Sequence, residues 1–164
     1  MALILLSREG VTQGDPLSMA LYGIALLPLV ELLQEQSEDV MQTWYADDAA
    51  MQGAADEVAD TMVSMIKSGP QFGYNPEPEK SFVICPLADQ ADAKLAFEAK
   101  GLANLQYVRG HRYVGGYVGS LEMKDRWLDP MVVGWVDGVR KLARVAGQYP
   151  QTAYAGFIQL LQAE

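Results

Sequence analysis

Two adjacent carboxylates, Asp47 and Asp48, stand in the middle of the aromatic and apolar stretch "QTWYADDAAMQG", residues 42 to 53. A solvated turn tolerates such a pair, because aspartate is common in tight turns and water screens the repulsion. A divalent cation would also offset it, and a hairpin tip is a good place to present oxygen ligands. Successive side chains of a strand face opposite ways, so both acids reach one point only if the backbone turns there. Gln13 and Gly14 come just before the "DPLS" of a helix start. Free N–H groups and the dipole at that end suit a phosphate or a polar base edge; simple turn chemistry is the other reading. Lys80 follows the proline-rich "NPEPE" and is ordinarily a solvated cation. His111 beside Arg112 has no ligand spacing, and no role is assigned to it. Cys85, the single cysteine, excludes an intramolecular disulfide. Placed before Pro86 at the end of an apolar run, it reads as a buried small hydrophobe, which fits a reducing, intracellular setting.

The elements that must position these groups alternate helices and hairpins. "GDPLSMALYGIALLPLVELLQEQ" opens with Asp15 as N-cap and Pro16 at the first helical position, predicting a helix to about Gln36 with a kink near Pro28. Residues 19 to 33 are its longest apolar region, too short and too interrupted by Pro28 and Glu31 for a bilayer span, so a deeply buried helix and no membrane are expected. Residues 42 to 52 alternate around "ADD" and predict a hairpin with the aspartates at its tip. A second helix carries Asp56 and Glu57 in its first turn, repeats Val58, Met62 and Ile66, and stops at Gly69 and Pro70. "SFVICP" is a short strand, residues 89 to 100 a third helix, and 105 to 120 a strand and a tight hairpin. The last third is helical, with a stripe of Trp127 or Leu128, Met131, Trp135, Val139, Leu142 and Ala146 as core or interface.

Length and composition set the outer limits. With 164 residues, 50% hydrophobic and 20% charged, the chain can bury a sizeable core and is not disordered. The start, "MALILLSREG", lacks the basic region and the apolar length of a secretory signal. The net charge of −9 argues against a free-standing nucleic-acid binder. Its distribution is uneven: residues 1 to 100 hold 5 Lys and Arg against 16 Asp and Glu, and residues 101 to 164 hold 7 against 5. The late basic group includes Arg140, Lys141 and Arg144, read either as a solvated helix face or as a contact for a polyanion.

Four strings, "GVTQGDPLS", "YADD", "GYNPEPEKS" and "RYVGGYVGS", follow one another in that order. In that order they resemble the palm of a reverse transcriptase, an RNA-directed DNA polymerase, of the retrotransposon and group II intron type. The resemblance covers roughly residues 8 to 120. Its first two strings are specific and its last two weak. It implies an α+β fold, with helices packed on one face of a small, mainly antiparallel palm-like sheet over residues 1–120. A helical thumb-like segment would follow over 121–164.

The resemblance also implies site roles and ligands. Asp47 would be the principal Mg²⁺ ligand and Asp48 the secondary one. Gln13, Gly14 and Tyr45 would lie against template, nucleotide or primer end, and Lys80 would neutralise or protonate departing pyrophosphate. Tyr113, Gly115 and Gly119 would belong to the hairpin that grips the primer strand, and Arg140, Lys141 and Arg144 would touch nucleic acid. The partners would be an RNA or DNA template with primer and dNTPs. The family pattern adds a metal-binding aspartate on an earlier strand, and fingers, upstream of the Gln-Gly. Only 12 residues precede Gln13, and neither Glu9 nor Asp15 follows an apolar strand in that setting. The expectation is therefore the C-terminal part of a palm, inactive alone and open to an upstream polymerase segment as partner. Two other expectations stand beside it: a non-catalytic remnant or domesticated fragment acting as an interaction module, and an unrelated acidic domain.

Overall fold

A computed structural model describes residues 16–162, leaving Gln13, Gly14 and the Asp15 cap outside the described residues. Five helices and six strands make it a mixed α+β chain. It divides into two compact units. One holds the residues up to Ser81 together with Ala88–Gln106, the other Phe82–Leu87 and the chain from Tyr107 on.

The first unit is built on three helices. α1 (Ser18–Gln36) follows a turn at Pro16 and Leu17, whose carbonyl accepts from the Leu21 N–H at 2.9 Å. Pro28 lies inside α1, where it removes the N–H that would bond the Ile24 carbonyl. α2 (Ala55–Ser68) carries Asp56 and Glu57 in its first turn and Lys67 in its last, each favourable to the helix dipole. It ends in the 3₁₀ turn Gly69–Phe72, where a Cβ on Gly69 would meet the Tyr74 carbonyl at 2.5 Å. α3 (Gln90–Ala99) stops at Gly101, which takes φ +82. Leu26, Leu29 and Leu33 of α1, Ala59, Met62 and Met65 of α2, and Ala93 and Phe97 of α3 form the core with Val40, Leu102 and Leu105. Thr61 is buried among them with its hydroxyl donating to the Glu57 carbonyl at 2.8 Å, which removes the cost of an unpaired polar group.

The expected deep burial of α1 is not what the structure has. Only the side carrying Leu26, Leu29 and Leu33 is packed, against α2 and its 3₁₀ turn, while Leu17, Leu21, Ile24 and Leu27 are half exposed or more. At 3.6 residues per turn, one supporting layer covers one stripe and leaves the opposite one to solvent. By length and composition alone, α1 is the one helix among the described residues able to cross a membrane.

The strands pair two by two, not in one sheet. β1 (Met41–Tyr45) and β2 (Asp48–Gln52) are antiparallel, with Met41 opposite Gln52 and Tyr45 opposite Asp48. β3 (Phe82–Ile84) pairs with β4 (Gln106–Val108), and Cys85 N–H continues the ladder to the Val108 carbonyl at 3.1 Å. Cys85 is half-buried, less enclosed than its apolar surroundings in sequence suggest. β5 (Gly110–Tyr113) and β6 (Gly116–Gly119) close a second antiparallel hairpin. Strands of only three to five residues leave little ladder for a third partner.

The second unit continues from that hairpin into α4 (Leu121–Ala146), capped by the Ser120 hydroxyl accepting from Met123 N–H at 3.4 Å. α5 (Pro150–Gln162) packs back on it, with Ala153 buried and Leu142 so near Gly156 that a Cβ there would stand 3.1 Å from its methyl. Trp127, Leu128, Met131, Trp135, Leu142 and Ala146 form a half-buried stripe, as their spacing predicts. Val139 does not belong to it: Gly138 takes the inward position and Val139 is 45% exposed.

Candidate functional site

The two aspartates fall at one hairpin turn. Tyr45 and Asp48 are the last paired residues of the β1–β2 hairpin, leaving Ala46 and Asp47 as a two-residue turn. Ala46 takes φ +52, a conformation that costs an L-residue free energy and turns the chain tightly. Asp47 thus lies in the turn and Asp48 at the first position of β2. Both are exposed, and neither carboxylate makes an ion pair among the described residues.

Tyr74 and Trp44 brace this turn and Tyr22 lines the cavity beside it; residue type and spacing in the sequence assign none of the three a role. Tyr74 donates its hydroxyl to the Asp47 carbonyl at 3.2 Å, and its ring meets Trp44 edge-on at 5.1 Å. Trp44 in turn donates Nε1–H to Gln42 Oε1 at 3.1 Å. A cavity of about 190 Å³ beside the turn is lined by Met19, Tyr22, Gly23 and Leu26 of α1 and by Trp44, Tyr45 and Ala46. Burial pushes the Tyr22 phenol above its usual range, and the charge of Asp47 adds to the effect. Tyr74 sits inside "GYNPEPEKS" and Trp44 next to "YADD", so position in the strings was the available signal; Tyr22 carried none.

The other residues singled out are placed separately. Lys80 ends the 3₁₀ turn Pro78–Lys80 and pairs with Glu77 at 2.6 Å, both largely exposed. That hydrogen bond, then the Glu77 charge, raises the lysine above its ordinary range. Tyr113 is half-buried at the end of β5 opposite Gly116, and Gly115 with Val114 forms the turn at φ +78 and +46. Gly119 stands opposite Gly110 at φ +134, where a Cβ would collide with the Gly110 Cα and the Arg109 carbonyl. On α4, Lys141 pairs with Asp137 at 2.9 Å, while Arg140 and Arg144 are exposed and make no ion pair among the described residues. His111 stacks on Phe82 with ring centroids 3.7 Å apart.

Asp47 and Asp48 offer hard oxygen donors to a divalent cation, and the chemistry of that donor set fits Mg²⁺. No group of three His, Cys, Asp or Glu side chains comes together among the described residues, so most of such an ion's shell would be water. No protein-family model matches the chain, and neither does any curated protein or solved structure.

Proposed function

We propose that the chain is part of a reverse-transcriptase palm whose "YADD" turn contributes two of the carboxylates of a nucleotidyl-transfer site. The observation that carries this reading is the placement of Asp47 in a two-residue hairpin turn and Asp48 directly after it, with Tyr45 adjoining and the turn fixed through Tyr74. The order of the motifs along the chain supports it from the sequence side. On this reading the β1–β2 hairpin belongs to a palm-like sheet, β5–β6 is the primer-gripping hairpin, and α4 and α5 are thumb-like.

In the family reaction a primer hydroxyl attacks a nucleotide phosphorus in line, and two Mg²⁺ ions stabilise the attacking and leaving oxygens. Asp47 would be the principal ligand and Asp48 the second. Tyr45 and the aromatic walls of Tyr22 and Trp44 shape the apolar side of the turn. Tyr74 holds the Asp47 backbone, so the carboxylate leaves a fixed point. Among the described residues no third carboxylate joins these two, and on this reading turnover needs a further carboxylate from a segment that brings it to the turn. The alternative function, an interaction module without catalysis, draws on the exposed apolar face of α1.

Isothermal titration with Mg²⁺ tests the metal-binding half of the proposal. Mg²⁺ releases water reluctantly, so two carboxylates should bind it weakly, with Kd of order millimolar, and Asp47→Ala should abolish the signal. Binding that is unchanged by Asp47→Ala would detach the turn from the proposed site.

A further inference from the structure

The outward faces of α1 and α4 carry the same pattern with opposite charge. Along α1, Ile24 is followed seven and eleven residues later by Glu31 and Glu35; along α4, Val133 is followed at the same intervals by Arg140 and Arg144. Leu27 and Val136 occupy matching positions, three residues after Ile24 and Val133. Steps of three, seven and eleven keep to one side of a helix. All eight side chains are exposed: Ile24 and Val133 are each 68% accessible, and none of the four charged groups has an ion-pair partner among the described residues.

We propose that the α1 face of one copy of this chain docks in parallel on the α4 face of a second copy, Ile24 and Leu27 against Val133 and Val136, Glu31 and Glu35 against Arg140 and Arg144. Removal of the apolar side chains from water drives the contact. The charged and apolar pairs choose the register together: an antiparallel arrangement that meets both acids with arginines leaves Ile24, Leu27, Val133 and Val136 without facing partners, and a one-turn slip of the parallel one loses a charge pair. The acidic half of the α1 face also disfavours a lipid surface as its cover, because burying Glu31 and Glu35 there leaves both charges unpaired. The contact engages Arg140 and Arg144, the side chains that the thumb-like reading gives to nucleic acid, so the two would compete and association is measured with nucleic acid left out.

Sedimentation equilibrium on the full chain, without nucleic acid, tests it. The expected result is a mass rising from 18.0 kDa to at least twice that over ~10–100 μM, a range usual for a modest interface, and falling back as salt is raised. Glu31→Arg with Glu35→Arg should keep the chain monomeric, and so should Arg140→Glu with Arg144→Glu. The chain carrying all four changes should associate again. Circular dichroism of each variant establishes that it remains folded, and all four positions are exposed. A monomer at every concentration, association indifferent to either reversal, or failure of the fourfold variant to recover would each overturn the proposal. So would co-sedimentation of a monomeric chain with phosphatidylcholine vesicles.

Discussion

At the residue scale the site depends on groups whose importance is conformational. Asp47 and Asp48 were legible as a candidate pair because two acids in an apolar stretch call for an explanation. Tyr22, Trp44 and Tyr74 were not, since an aromatic residue in sequence looks the same whether it fills a core or braces a turn. Gly119 shows the same gap: its glycine-rich string suggested a hairpin, but only the structure shows φ +134 and the close approach of Arg109 and Gly110. Gly119→Ala must therefore shift backbone on both strands. We expect a loss of about 1–3 kcal/mol, read as a lower midpoint in urea unfolding with an unchanged slope. Gly115→Ala, at φ +78 with open space around its Cβ position, should cost less because only the backbone strain is incurred.

Elements were the most readable scale. The β1–β2 hairpin, α2, α3 and the helical character of the last third lie where periodicity and end signals place them, because each is specified locally, while the break that separates α5 from α4 was not legible in the stripe. Burial was less readable, since it depends on what packs alongside: α1 has support on one side only, and Val139 yields the inward position on α4 to Gly138. The start of α4 carries a testable electrostatic contribution. Hydrogen bonding and charge from Arg109, at 2.8 Å, and then the Arg126 charge hold the Glu122 carboxyl below the usual carboxylate range. A lowered folded-state pKa gives stability that is present above the unfolded value and lost as pH falls through the folded one. Thermal midpoints should drop on acidification below the ordinary Glu range, and Glu122→Gln should lower the neutral-pH midpoint slightly while flattening that acid decline. The effect will be small because the groups are exposed. An acid decline identical in Glu122→Gln would show that the pair contributes nothing.

Over the whole molecule the charge asymmetry acquires a structural meaning. Among the described residues, the 14 acids up to position 100 fall in the first compact unit, and the 7 basic residues that follow position 100 fall in the second. Nucleic acid should therefore bind weakly, through the second unit, with steep salt dependence. Arg140→Ala with Lys141→Ala and Arg144→Ala should abolish binding of a labelled primer–template in fluorescence anisotropy. Arg140 and Arg144 are the larger contributors, because Lys141 is already paired with Asp137. Retained binding in the triple variant would remove the thumb-like role from α4. That the strands pair two by two and do not join one sheet was the least legible feature, since pairing between distant segments is not encoded in any local pattern.

Primer extension tests the central claim most directly. Two-metal transfer requires both ions in register with the attacking oxygen, and misplacement by about 1 Å costs on the order of a hundredfold in rate. With Asp47 and Asp48 and no third carboxylate beside them among the described residues, the 164-residue chain should give no extension on an RNA template with a DNA primer, Mg²⁺ and dNTPs. Adding a reverse-transcriptase segment that carries the upstream aspartate should restore extension that is lost on Asp47→Ala and reduced on Asp48→Ala. Robust extension by the chain alone would contradict the claim that its site is incomplete, and rescued extension indifferent to Asp47 would return the "YADD" carboxylates to the role of a solvated turn.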